Sequence, residues 1–212
     1  MYVANIVLDS VNTFGQRCIT AAITYPRIVH AEVMTHRDRE RNAGSSRAIP
    51  WTTMKRLVTE DPFIPLEWGA EQSGMQTAAP VGTGYAILAE RLWCLHNLLS
   101  AEIADAIHNI GATREALCDE ASDLTKMLKR LGFPVEAYVG SRPLESDPTV
   151  RIHKSLPNRL IEAHQFITVV MTATAWKNFF ALRCHPMAEV HFRKIAYMLR
   201  DAIDASVPQQ LQ

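Results

Sequence analysis

The sequence predicts an α+β fold in which helices outnumber strands. Three observations carry this. Two β-branched runs, residues 18–26 and 165–173, lie far apart in the chain and read as strands. Between and after them, apolar residues recur at helical spacing over long stretches. No repeat, low-complexity tract or linker divides the chain, so residues 1–212 are expected to form a single domain.

The elements follow in order. "CITAAITYP" (18–26) closes on a proline suited to the first turn of a helix. "RIVHAEVMTH" then places Ile28, Val29, Val33 and Met34 for a short helix ending near residues 35–37. Residues 38–49 are polar and turn-rich, and "IPWTTMKRLVTE" reads as the next helix. Residues 61–84 hold three prolines and four glycines, which predicts a long irregular connection of a kind that is often functional. Residues 85–111 form a long helix with Leu88, Leu92, Leu95 and Leu99 in a stripe, either core or subunit interface, and Gly111 as its stop. Residues 113–132 read as a second amphipathic helix, antiparallel to the first and ended by Gly132. Residues 133–149 are loop. Helices over 174–183 and 187–205, separated by "CHP", follow the second strand.

Composition narrows the function. The chain is 48% hydrophobic and 21% charged, as a soluble globular protein should be. Lys plus Arg and Asp plus Glu both number 22, so no global basic field exists for coating a nucleic acid, although a local anion site is allowed. Cys18, Cys94, Cys118 and Cys184 are widely spaced, which signals neither a zinc site nor a disulfide framework. No metal is therefore expected, and a reducing cytoplasm is the expected location. "MYVANIVLDS" lacks the basic region and long apolar run of a signal peptide, and no apolar run is long enough for a membrane span.

The densest chemistry lies in "THRDRERNAGSSR". Arg37, Arg39, Arg41 and Arg47 surround Asn42, Gly44, Ser45 and Ser46. A turn of small residues exposes backbone N–H groups, serines add donors, and arginine forks grip phosphate oxygens in pairs. The same composition also fits a solvated loop in which Asp38 and Glu40 neutralise their neighbours. The P-loop spacing is absent.

The pattern His36-Arg37, seven residues, Ser45-x-Arg47 resembles the signature of the flavin-dependent thymidylate synthases, Arg-His-Arg-x7-Ser-x-Arg. "WKNFFALR" (176–183) resembles that family's Asn-Phe-x-x-Leu-Arg helix, and "AEVHF" stands where the family often has Ala-Gln-x-Glu-Ile. "LPNRLIEAHQFITVVMTATAW" is similar to the segment leading into that helix. "RNAGSSRAIP", "DPFIPLEWGAEQSGMQ", "NRLIE" and "TATAW" look most like the compact branch found in phages and nucleoside-antibiotic pathways. The likeness covers most of residues 18–60 and 155–205.

The resemblance implies a thymidylate synthase-like fold, with a small mixed or antiparallel sheet and several long helices. It implies a homotetramer with active sites between subunits, and FAD as cofactor. NADPH would reduce the flavin, and methylenetetrahydrofolate would supply the one-carbon unit that passes to C5 of a uracil nucleotide. No enzyme nucleophile attacks the pyrimidine, which agrees with the lack of a Ser-His-Asp or Cys-His arrangement. Residue by residue, His36, Arg37 and Asn42 fall on flavin-contacting positions, and Asn178 and Leu182 on the flavin side of the late helix. Ser45, Ser46 and Arg47 fall on the nucleotide turn, and Arg159 is a candidate second phosphate arginine. Arg183 matches the arginine that contacts the pyrimidine. It is the candidate catalytic residue, able to stabilise charge as C5 becomes nucleophilic.

The chain departs from the pattern in several places. Thr35 replaces the first motif arginine, Glu32 a glutamine, Ala43 a glutamate and Ala48 a residue that is often tyrosine. Glu32 lies one turn before His36, so both can face one cavity. The His-rich helix that precedes the motif in typical members has no counterpart. The smaller alanines open space beside the sugar, where Glu32 or Ser46 could accept from a ribose hydroxyl, so UMP stands beside dUMP as substrate. A cytosine nucleotide, a hydroxymethyl product and a noncatalytic nucleotide-binding homologue stay open as alternatives.

The remaining conspicuous residues have ordinary readings. The other histidines are structural or exposed, with His164 and His185 nearest the late motif. The tryptophans pack, although Trp68 and Met75 in the long connection could cover a ring. Asp119 and Glu120 are a solvated helix face. Cys184 beside Arg183 invites a nucleophile reading that the family chemistry does not use.

Overall fold

Two strands with alternate residues buried organise the molecule. The computed structural model describes residues 1–74, 77, 79–119, 122–136 and 147–211. Strand β2 (Arg17–Pro26) turns Ile19, Ala21, Ile23 and Tyr25 to one side. Strand β4 (Phe166–Ala173) turns Ile167, Val169, Met171 and Ala173 to the same side. The two pair antiparallel over their full length, Ile19 opposite Ala173 and Pro26 opposite Phe166. This face needs apolar cover, and helix α8 (Val190–Ala205) supplies it with Phe192, Ile195, Ala196, Leu199 and Ile203 at helical spacing.

Three further strands complete a five-stranded mixed sheet of order β3-β4-β2-β1-β5. Strand β1 (Val3–Val11) pairs antiparallel with β2, with an irregularity between Ile6 and Leu8. Strand β3 (Glu40–Ala43) pairs antiparallel with β4. Strand β5 (Gln209–Gln210) pairs parallel with Ser10 and Val11. No described element covers the face away from α8. There Thr20 meets Thr172 at 2.9 Å and Thr24 meets Thr168 at 2.8 Å, and Val170 is 40% exposed.

The helices include α1 (His30–Val33), α2 (Trp51–Glu60), α3 (Thr83–His108), α4 (Ile110–Cys118) and α5 (Asp123–Arg130). Late in the chain come α6 (Pro157–Leu160) and α7 (Lys177–Arg183). A second core joins Trp51, Met54 and Val58 of α2 to Ala101 and Ala104 of α3 and to Ile161. Polar bonds pin α3 as well. Trp93 Nε1 donates to Phe63 O at 2.7 Å, Asn97 Nδ2 to Val58 O at 2.6 Å, and His96 meets His164 at 2.7 Å.

Several expectations change. β1 and β3 were not read as strands. β1 has no deeply buried face, and β3 is a charged edge strand inside the stretch expected to be turn. Leu88, Leu92 and Leu95 are each at least half exposed, so the leucine stripe is surface in one chain and not core. Gly111 does not stop α3, which already ends at His108; it lies inside α4. A Cβ there would sit 2.1 Å from Asp147 O, so glycine admits the returning chain, whose Val150 O accepts from Gly111 N. The expected helix over 113–132 is two pieces, α4 and α5. Met75, Glu120 and part of the expected loop 133–149 lie outside the described residues.

Two outcomes follow. Gly111→Ala should lower stability by about 1–3 kcal/mol through overpacking against backbone, read as a shift in the urea midpoint. His36, His164 and His191 are buried, and desolvation, aided by neighbouring charges, pushes each down to about 4. Unfolding restores their ordinary affinity, so the unfolded chain binds more protons between that value and about 6.5. Stability should be full above about pH 6.5 and fall on acidification toward pH 4, by up to roughly 1.4 kcal/mol per pH unit for each histidine. Urea midpoints at pH 7, 6 and 5 measure this.

Candidate functional site

The charged stretch divides its arginines between the interior and solvent. After α1 the chain folds back because Arg41 caps the turn: its Nη1 donates to the carbonyls of Val33 (3.3 Å), Met34 (2.8 Å) and His36 (2.6 Å). These are carbonyls that the end of a short helix leaves unmet. Arg39 is buried at 4% exposure, with its guanidinium 4.3 Å from the ring of Phe179 and 4.9 Å from that of Trp176. It pairs with Asp38, while its Nε has no partner. Residues 36–39 are thereby fastened along α7. Arg37 and Arg47 are exposed and make no hydrogen bond or ion pair among the described residues.

The link to α7 also brings together the two motifs that are distant in sequence. His36 is 8% exposed, edge-on to Phe179 (5.1 Å) and Phe192 (5.7 Å). Its Nε2 accepts from Arg183 Nε at 2.7 Å. An arginine cannot accept, so the ring is neutral with its proton on Nδ1. Burial, then the charges of Arg183 and Arg39, hold the imidazole at about 4. The Arg183 guanidinium lies 4.7 Å above Phe192. Its Nη groups make no bond to described residues. Nearby, burial and then Glu189 raise the Glu32 carboxyl while Arg183 opposes them.

The serine turn is held from inside. Gly44 N donates to Thr168 O, and residues Ser46–Ala48 form one 3-10 turn. Ser46 is buried, and its Oγ donates to Glu162 Oε1 at 2.8 Å; Glu162 also pairs with Arg27 at 3.0 Å. Asn158 Nδ2 donates to Ser46 O (2.6 Å) and Ile49 O (3.0 Å), and Lys154 Nζ to Ala48 O (3.1 Å). The Ser46 hydroxyl proton is therefore committed to Glu162. Ser45 and Arg47 remain exposed on the turn. Arg159 follows Asn158 directly, so it enters beside them, exposed and without a partner among the described residues.

The residues expected on the flavin side separate. Asn178 and Leu182 lie one turn apart on the exposed side of α7, close in sequence to Arg183. Asn42 is exposed on β3 opposite Val170, which puts it on the uncovered sheet face and not with His36. Trp68 packs on Trp93 at 6.1 Å. His164 is fully buried against Trp93 and His96, on the α3 side. His185 is exposed and accepts from Met187 N.

Sequence reading missed the residues that hold this arrangement. Arg27, Lys154, Asn158 and Glu162 fix the turn, and the only hint was their presence around the "NRLIE" segment and the end of β2. It also missed a chain at the start of α8. Tyr2 Oη meets His191 Nδ1 at 2.6 Å, and His191 Nε2 lies 3.9 Å from Glu189 Oε1. Glu189 Oε2 caps the helix by accepting from Phe192 N at 2.7 Å. Burial, then Glu189, raises the Tyr2 phenol, so it stays protonated and donates to a neutral His191.

Grooves of about 380 and 500 Å³ lie elsewhere, beside α2 and α3 and beside α3, α4 and α5. Lys55 in the first pairs with Asp105 and Glu102, so its charge is already answered. Among the described residues no His, Cys, Asp and Glu cluster could hold a metal, and no helix is long and apolar enough to cross a membrane.

No family model matches the chain, and no curated protein matches it. Solved structures do. The UMP/dUMP methylase PolB from Streptomyces cacaoi bound with 5-Br UMP superposes with a TM-score of 0.59 at 11% identity, covering 95% of this chain and 88% of that one. The same methylase bound with 5-Br dUMP gives 0.56 at 11% identity, over 95% and 89%. At that identity the likeness is one of fold. The chain has the fold of these methylases along nearly its whole length.

Proposed function

We propose that the chain is a flavin-dependent methylase acting at C5 of a uracil nucleotide, UMP, dUMP or both. One observation carries the reading: on a fold similar to a UMP/dUMP methylase, Arg183 has a guanidinium fork whose Nη groups bond no described residue. Such a fork donates to a pyrimidine carbonyl and stabilises negative charge that develops as C5 becomes nucleophilic. Ser45, Arg47 and Arg159 are exposed donors for the nucleotide phosphate. Ser46 serves by holding the turn. Glu32, coupled to Arg183, is placed to read the base or sugar.

The donor set suits FAD. Arg37 and Asn178 are exposed groups that can donate to a diphosphate, and Leu182 offers apolar surface beside them. Bound FAD would supply the redox chemistry and carry the one-carbon unit, with NADPH as reductant and methylenetetrahydrofolate as donor. A homotetramer with active sites between subunits agrees with the exposed leucines of α3 and the uncovered sheet face. In that assembly Asn42 would serve a site on the open side of the sheet. The proposed location is the cytoplasm, and the proposed partners are small molecules rather than nucleic acid or membrane.

The test supplies UMP or dUMP with FAD, methylenetetrahydrofolate and NADPH, and reads product mass. A product heavier by one methylene is expected. A protein that stays colourless with FAD and modifies neither nucleotide would sink the reading and favour a noncatalytic nucleotide binder. Arg47→Ala and Arg159→Ala should each weaken UMP binding about tenfold or more, as loss of a charged hydrogen bond does, with uridine affinity unchanged. Calorimetric titration of both ligands checks this.

A further inference from the structure

His36 and Arg183 meet through one bond, and its geometry fixes more than it joins. The imidazole cannot swing, because Phe179 and Phe192 hold its edges and Arg41 binds its backbone carbonyl. Phe179 and Phe192 are themselves buried, at 1% and 0% exposure. His36 Nε2 is thus a rigid acceptor. Arg183 gives it Nε–H at 2.7 Å and lays its guanidinium face over Phe192 at 4.7 Å. One contact sets the edge of the plane and the other sets its face. What remains is the Nη fork, whose donors make no bond among the described residues.

We propose that His36 is a positioning residue for Arg183: it acts through that side chain, setting the direction in which the guanidinium fork meets the carbonyl edge of the bound pyrimidine. This assigns His36 to the nucleotide side, where the resemblance implies flavin contact. The identity of the ligand rests on the uracil-nucleotide reading; the pairing of the two side chains does not. The device works only with a neutral ring. A protonated Nε2 has no lone pair and adds a like charge against Arg183. The charged groups around His36 are Asp38, Arg39 and Arg41 from the neighbouring chain and Arg183 from α7, while α8 presents Phe192. Burial first, and then the excess of positive charge among these four, keeps the ring neutral at physiological pH.

The experiment measures UMP and dUMP affinity for wild type, His36→Phe, His36→Gln, Arg183→Met and the double variant His36→Phe with Arg183→Met, with thermal melts to confirm folding. His36→Phe keeps a ring against the phenylalanines but offers no acceptor, and should weaken UMP binding about tenfold. His36→Gln returns an acceptor at a similar reach and should recover most of the loss. In the Arg183→Met background His36→Phe should have no further effect. An equal loss in both backgrounds, or a glutamine variant as weak as the phenylalanine one, overturns the proposal. In the nucleotide-free protein, ¹⁵N NMR of the imidazoles should show His36 protonated on Nδ1, titrating near 4 and moving upward in Arg183→Met. A midpoint unmoved by that change overturns the pairing. If wild type binds neither UMP nor dUMP, the uracil-nucleotide reading fails by itself, and the imidazole titration alone decides whether His36 holds Arg183.

Discussion

Arg39 carries its charge into the interior, where the faces of Trp176 and Phe179 and the carboxylate of Asp38 stand in for water. Burying a guanidinium is unfavourable unless charge and π surface replace its hydration. The replacement comes from α7, far along the chain. Residues 36–39 therefore have one place to lie, along that helix, and the other candidate residues take their positions from it. Arg37 is left outside, His36 is pressed against Phe179, and the imidazole comes within bonding distance of Arg183. Arg41 completes the constraint by taking the carbonyls at the end of α1.

A second constraint holds the serine turn and works by a different physics. Here buried and half-buried polar groups bond one another: Ser46 with Glu162, Glu162 with Arg27, and Asn158 with two carbonyls of the turn. Such networks define a unique geometry because each member lost leaves another unsatisfied. The turn is consequently stiff, which would reduce the ordering required to bind the proposed phosphate.

Legibility in the sequence followed the strength of burial. β2, β4 and α8 were read nearly to their ends because each buries one full apolar face, and periodicity reports burial. β1 and β3 were missed for the converse reason: one is a mixture of half-buried and exposed positions with none fully buried, and the other is four mostly polar residues at an edge. The leucines of α3 have perfect helical spacing, yet periodicity cannot say whether the partner belongs to the same chain. At the site, the motif positions singled out two segments that the fold joins through His36 and Arg183, but not the contacts within them. Four arginines in one stretch look alike in sequence, and only Trp176, Phe179 and the carbonyls of α1 decide which turn inward. The same holds for the two serines, of which Glu162 claims one. At 11% identity to the methylases of similar fold, the likeness is one of architecture and leaves side-chain assignments free.

The irregularity in β1 has a consequence beyond the sheet's shape. β1 is an outer strand, shielded only at Ser10 and Val11 by the two residues of β5. Its unshielded part carries Val7 and Leu8 exposed at 54% and 66%, a combination that invites copies to zip together through open backbone groups. The register shift between Ile6 and Leu8 falls within that part. It breaks the even ladder of donors and acceptors that a neighbouring strand would need. The strand left mostly open at this side of the sheet thus carries its own guard against fibril-like growth, written as a single out-of-step residue.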